Sequence, residues 1–180
     1  AILVGGGLAV LISFSVLFRE TVFPTILTLQ MIPKIALAPL FIIWFGIDLS
    51  SRIAFGVFVS FFPIIVQLVS GLAGANENAI RLCRSLDADR WQIFLHVKLP
   101  YALPYFFAGL KISSTLSVIG VVVGEFISAN AGLGYYILSA GAHAETAKVF
   151  AGVVALCVLG IGLYLAVLLA ECMARKWWHG

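Results

Sequence analysis

The chain has 180 residues, of which 62% are hydrophobic and only 11% charged, and a formal net charge of +3. Its mean hydropathy of +1.12 excludes an ordinary soluble domain, where apolar content lies nearer about half, and the small charge excess offers nucleic acid no handle. Continuously apolar runs of bilayer-spanning length predict an all-α, polytopic transmembrane bundle rather than a β-barrel of short alternating segments.

The first apolar run covers about 1–18, with Gly5, Gly6 and Gly7 suited to close helix contact, and Arg19 and Glu20 end it. A second runs from about Pro24 to Gly46, interrupted by Pro33, Lys34 and Pro39. A third covers about 52–72 with Pro63 inside, a fourth about 104–127 with Lys111 and Glu125, and a fifth about 148–170. Between the third and fourth lies a polar block, 74–100, and between the fourth and fifth a looser stretch rich in Gly, Ala and small polar residues. Counting Lys and Arg in short loops orients the chain. With the polar block in the cytoplasm, Arg19 and the tail Arg175-Lys176 fall on the same side, and the other side receives only Arg52 and Lys148. The C-terminus is therefore expected in the cytoplasm, with Trp177 and Trp178 as interfacial anchors. The chain starts without Met and enters directly into an apolar run, so it is expected to be one transmembrane domain over 1–180 that is N-terminally incomplete. Five spans are then present of six. Cys83, Cys157 and Cys172 are odd in number and far apart. They form neither a disulfide framework nor a zinc spacing, and read as small buried hydrophobes.

The polar block "RLCRSLDADRWQIFLHVKLP" (81–100) concentrates charge among apolar anchors. Asn76 is the expected N-cap of a short helix over 77–86, with Ile80, Leu82, Cys83 and Leu86 as its apolar positions. Asp87 suits a left-handed or turn conformation. Asp89 caps a second helix with Gln92 in capping-box position, and Trp91, Phe94 and Leu95 share one face of it. Leu99-Pro100 is expected to stop that helix, and Pro104 to open the next. Two readings of the resulting face stay open: a surface lying on the membrane or on its own bundle, and a handle for a soluble partner's groove.

The block resembles the EAA loop of the binding-protein-dependent ABC importer permeases, in which E-A-A is followed after three residues by Gly and after nine more by Ile-x-Leu-Pro. The aligned residues are Arg81-Leu82-Cys83, Asp87 and Val97-Lys98-Leu99-Pro100; Arg81 stands for the family's Glu and Asp87 for its Gly. Flanking pieces agree in order and spacing: "IPKIALAPLFIIWFG" (32–46), "FFPI" (61–64), "LPYALPYFFAGLK" (99–111), "GEF" (124–126) and "GLGYYI" (132–137). These resemble the branch that imports nitrate, taurine, alkanesulfonates and thiamine- or riboflavin-related precursors. The resemblance implies a type I importer permease fold in a bacterial inner membrane, with a coupling-helix insert at about 74–103. It implies a second permease copy, two cytoplasmic ATPase subunits carrying ATP and Mg, and an extracytoplasmic binding protein. Arg81, Leu82, Cys83, Leu86, Asp87, Ala88, Asp89, Trp91, Phe94, Leu99 and Pro100 would be the ATPase-coupling residues. This chain itself is expected to be no enzyme and to bind no cofactor or metal.

Pro33, Lys34, Pro39 and Glu125 are the candidates for the path or its gate, because irregular backbone and intramembrane charge favour a cavity or a bundle interior. For Glu125 the alternatives are a gating role, exclusion of anions, and a cap on the "SANAGLG" turn; for Lys111 and Lys34, snorkelling of the long stem. The segment "ANAGLGYYI" (129–137) reads as an external turn and short helix. A competing class is a stand-alone transporter or channel without ATP coupling, but neither internal repeats nor several buried charges are evident. A membrane enzyme would need a catalytic constellation within the spans, and none is evident. The absence of a GxxxxGK[ST] loop places ATP hydrolysis on a partner. Substrate is legible only as a small organic or anionic nutrient, with a lean toward a pyrimidine or vitamin precursor.

Overall fold

The computed structural model describes residues 1–14, 16–128 and 130–178, without the side chains of 16–19, 177 and 178. The side chains of Arg19, Trp177 and Trp178, on which part of the expected orientation rests, lie outside the described residues, as does Ala129. The described residues form helices and turns with no strand. In chain order these are α1 (Ile2–Phe14), α2 (Val16–Gln30), a 3-10 turn (Lys34–Leu37), α3 (Ala38–Phe45) and α4 (Leu49–Ala73). Then follow α5 (Glu77–Ser85), α6 (Arg90–Ile93), a π turn (Phe94–Lys98), α7 (Leu99–Ser128), α8 (Leu133–Ala142) and α9 (Thr146–Trp178).

Among the described residues, three stretches are long and apolar enough to cross a membrane as single helices: 49–73, 90–128 and 146–176. The expected second span is instead a broken one. Its halves, 20–30 and 34–45, meet at 86°. The bend sits where Pro33 withholds an N–H, whereas Pro39 lies in the first turn of α3, where a missing N–H costs nothing. Arg19 and Glu20 do not interrupt the chain as expected, since α2 runs through both to Gln30 and carries Pro24 inside it.

The centre of the bundle is the contact between α4 and α7, where small residues bring the two backbones together. A Cβ on Gly120 would stand 2.9 Å from Gly56 Cα, and one on Gly109 3.1 Å from both Ile64 Cα and Pro63 O. Between these points Ser113 Oγ donates to Ser60 O at 2.5 Å, with both serines buried. Close approach of this kind, helped by a polar bond, is how helices associate where lipid removes the hydrophobic drive. α1 packs on the same helix: a Cβ on Gly5 would stand 3.0 Å from Phe61 O. Ala9 and Ile12 of α1 share a core with Phe62, Ile65, Leu68 and Leu72 of α4 and Ala102 of α7. α3 closes a smaller cluster, with Ala38 against Phe55 and Val59 and with Phe41 beside Phe55 and Phe58.

α9 is held differently. Its apolar length is open to the surroundings, and its ties to α7 include an ion pair of 2.5 Å between Lys111 Nζ and Glu171 Oε2. Lys111 is therefore paired across helices, not merely snorkelling; intramembrane charges persist mainly when matched in this way. The cysteines depart from expectation too. Cys157 and Cys172 are exposed on α9 and Cys83 is half-buried, because among the described residues no helix covers the flank on which the first two lie. Replacement of Gly120 by Ala should lower thermal stability in detergent by about 1–3 kcal/mol, since the methyl meets backbone that cannot yield. Gly6→Ala should change it little, for nothing lies within 4 Å of the added atom.

Candidate functional site

The polar block folds as two short helices joined by a tight turn, and its caps follow from local chemistry. Asn76 Oδ1 accepts from the amides of Asn78 and Ala79 at 2.9 and 3.4 Å, so it caps α5 as its sequence position suggests. At the other end Asp87 N donates to Arg84 O at 3.1 Å and Ala88 N to Cys83 O at 3.0 Å. That pair of bonds is a Schellman motif, and it places Asp87 in the left-handed region with φ of 58°. Asp89 then starts α6: its amide donates to Gln92 Oε1 at 2.9 Å, and its carboxylate completes the capping box.

The expected stop at Leu99-Pro100 does not occur. α6, the π turn and α7 form one helical course of 39 residues from Arg90 to Ser128. Leu99 N bonds Phe94 O, five residues back. A widened turn there makes room ahead of Pro100, whose ring would otherwise meet the carbonyl of residue 96. Pro104 consequently lies inside the helix and does not open it.

This continuity changes the role of the aromatic anchors. Phe94, expected on the outward face, is 6% exposed. Its ring lies 4.9 Å from Phe14 and 5.4 Å from Trp91, and Trp91 stacks on Phe14 at 5.8 Å. Phe94 therefore faces the bundle, tying the block to the end of α1, and Ile93 is buried beside it in sequence. Leu99 packs against the same core, and Pro100 is half-buried. What remains outward is Leu82, Leu86 and Trp91, at 63%, 74% and 54% exposed, with Leu95 at 36%. Arg81, Arg84, Asp87, Asp89 and Arg90 are exposed as well, whereas Cys83 and Ala88 are half-buried. Arg81 makes a 3.3 Å pair with Glu77 on the open face of α5, a contact of small energetic weight. The arrangement is a rigidly capped, apolar-centred and charge-edged surface with no catalytic grouping. Among the described residues no cluster of His, Cys, Asp or Glu could hold a metal.

The four path candidates do not form one site. Pro33 marks the bend, and Lys34 next to it sets its Nζ 4.6 Å from the centroid of the buried Phe62 ring, a cation–π contact across to α4. Pro39 belongs to the first turn of α3. Glu125 lies elsewhere, near the end of α7, where its Oε2 accepts from Gly134 N at 2.6 Å. It caps α8, the short helix expected within 129–137, in accord with the capping alternative. His143 and Glu145 are likewise spent locally, on Ser139 O at 2.8 Å and on Lys148 Nζ at 2.7 Å. Sequence reasoning missed Phe14, because nothing in a uniformly apolar helix says which residue meets a segment some 80 positions later. It missed Glu171 for the same reason.

The family model described as "binding-protein-dependent transport system inner membrane component" matches residues 1–176. Similar curated proteins include the formylaminopyrimidine transport permease protein ThiX of Halalkalibacterium halodurans, 36% identical over 98% of this chain and 71% of that protein. The putative aliphatic sulfonates transport permease protein SsuC of Bacillus subtilis is 32% identical, over 97% of this chain and 65% of that protein. The taurine transport system permease protein TauC of Escherichia coli is 31% identical, over 100% of this chain and 65% of that protein. Against SsuC and TauC, then, the chain spans less than two thirds of the relative's length.

Asp87 gives the block a local test. Asp87→Gly should slow hydrogen exchange at the amides of 87 and 88, in keeping with relief of about 1 kcal/mol of left-handed strain. Asp87→Val should speed exchange at both.

Proposed function

The chain belongs to the family of binding-protein-dependent transport system inner membrane components, and on that premise we propose that it is the permease subunit of an ATP-driven importer. The observation that carries the reading is the outward surface of Leu82, Leu86 and Trp91, edged by Arg81, Arg84 and Arg90 and stiffened by the caps at Asn76, Asp87 and Asp89. A capped helix pair with apolar anchors at its exposed centre suits insertion into a groove of a soluble partner. In this reading the partner is a cytoplasmic ATPase subunit, which carries the ATP and Mg, and the permease itself performs no chemistry.

Two permease copies enclose the path in the bacterial inner membrane, with the polar block and the C-terminus in the cytoplasm. A binding protein delivers the solute on the other side. The 86° bend between α2 and α3 is the element of choice to line the path, since backbone freed by Pro33 is tolerated at membrane depth beside water or protein. The names of the relatives, which cover formylaminopyrimidine, aliphatic sulfonates and taurine, support a small organic or anionic nutrient as cargo, with the pyrimidine class favoured.

In this reading coupling runs along one helical course. At 1.5 Å per residue the 39-residue course is about 58 Å long, against a hydrocarbon thickness of about 30 Å. One rod therefore reaches from the ATPase-facing surface through the membrane. Closure of an ATPase pair moves Trp91, and the rod carries that displacement to its far end.

The test is co-purification of the full-length permease with its partners from native membranes. Leu86→Asp should cut recovery of an ATPase subunit at least tenfold, as expected for loss of a hot-spot contact of about 2 kcal/mol, while leaving the permease folded; Trp91→Asp should cut it as far and also loosen the stacking on Phe14. Phe94→Ala should instead lower permease stability by about 3–5 kcal/mol, because it empties the contact with Phe14. Recovery of no ATPase with the unmodified chain would leave the stand-alone transporter as the better reading.

A further inference from the structure

Across the α4–α7 contact, near the ends of α4 and α7 that lie away from the polar block, Arg52 packs against the residue next to Glu125. Arg52, in the first turn of α4, lies against Gly124: a Cβ on that glycine would stand 3.1 Å from Arg52 Cγ. Arg52 Nε is buried and has no hydrogen-bond partner. Arg52 is also absent from the ion pairs among the described residues, which join Arg81 to Glu77, Lys111 to Glu171 and Lys148 to Glu145. A buried donor left unmatched is uncommon enough to require a reason.

The next residue along α7 is Glu125, and its carboxylate is committed elsewhere. It accepts from Gly134 N at 2.6 Å, at the start of α8. A Cβ on Gly132, where φ is 121°, would overlap that carboxylate outright, and one on Gly134 would stand 2.9 Å from its Oε2. Two glycines thus let the first turn of α8 close directly over the acid. The helix N-terminus gives Glu125 a partial positive charge as partner, while Arg52 Nε, packed beside the neighbouring Gly124, has no hydrogen-bond partner.

We infer that Arg52 and Glu125 are a positioning pair for transport, forming a two-position latch on α8. In the arrangement described here Glu125 holds the N-terminus of α8. In the second it releases Gly134 and pairs with Arg52, freeing α8 from the end of the α7 rod. The exchange needs no new charge, since one carboxylate swaps a backbone amide for a guanidinium, and each position satisfies a group that the other leaves open. The inference rests on the permease reading, because the load that moves the latch is the displacement carried by the 90–128 course from its ATPase end. With the α4–α7 seam closed at Gly56–Gly120, the load acts on the end of α7 beyond that contact and turns the Glu125 side chain from Gly134 N toward Arg52. Two discrete arrangements biased by a distant load are what coupling between separated sites requires.

The experiment uses the full-length permease assembled with its ATPase and binding protein in lipid vesicles. Cys83, Cys157 and Cys172 are replaced by Ser, and Tyr136→Cys on α8 serves as reporter. Tyr136 is exposed, yet its ring lies 3.3 Å from where a Cβ on Gly152 of α9 would sit, so release of α8 alters its surroundings. Maleimide labelling is compared in nucleotide-free and vanadate-trapped complexes. Trapping should change the unmodified latch's labelling rate about fivefold or more, the range of ordinary allosteric coupling. Arg52→Gln should abolish that change with the resting rate kept, Arg52→Lys should restore it, and Glu125→Gln should move the resting rate toward the trapped one. A trapping response in Arg52→Gln equal to that of the parent overturns the latch. So does an unchanged rate in the parent while uptake remains ATP-dependent, or loss of the response in Arg52→Lys. Uptake that needs no ATPase subunit would instead overturn the permease reading, and the latch with it.

Discussion

The approach of α4 to α7 through Gly56, Gly109, Gly120 and the Ser113–Ser60 bond is the constraint on which the rest of the molecule depends. In lipid, apolar side chains gain little by leaving their surroundings for one another, so helices hold together by close van der Waals packing and hydrogen bonds. Small residues make that packing available by removing the side chains that would keep the backbones apart. With α4 and α7 fixed in this way, α1 and α3 find their places on α4, and both core clusters form around its buried face. α9 lacks such a seam. It is held by a charge pair and by its contact with α8, and presents its apolar length outward.

The second organising feature is the absence of a break where one was expected. Because the π turn absorbs Pro100, the outward surface of α6 and the membrane-buried stretch of α7 are parts of one rod. A flexible joint at that point would have dissipated any displacement. The aromatic contact of Phe94 and Trp91 with Phe14 adds a second tie, so the polar block is braced both along the chain and across it. The same side chains thus divide their work. Phe94 supports the block from within, and Trp91, half-exposed, is shared between the brace and the outer surface.

Much of the polar block was legible in advance because its determinants are local. Asn76 as cap, Asp87 in a left-handed turn and Asp89 with Gln92 as a capping box each depend on residues within a few positions of one another, and short-range hydrogen bonding decides them. Which way Phe94 packs was not legible, for the opposite reason. Spacing of i, i+3 and i+4 puts residues on one face of a helix but does not say whether that face meets solvent or another helix. Nor does local chemistry say that a proline following an aromatic run will be absorbed by a π turn instead of ending the helix; that depends on the packing that holds both sides in line.

By itself, the sequence determined that this is an all-α membrane permease, where its caps and turns fall, and which residues carry charge in the membrane. Hydropathy, capping chemistry and motif order are properties of contiguous residues, and they survive without knowledge of what packs on what. Only the tertiary structure decided which charges are matched. Lys111 meets Glu171, Lys34 lies over Phe62, Glu125 is taken by Gly134, and Arg52 Nε is left without a partner. Those outcomes are set by the register of helices that are far apart in the chain, and that register follows from where small residues let backbones touch.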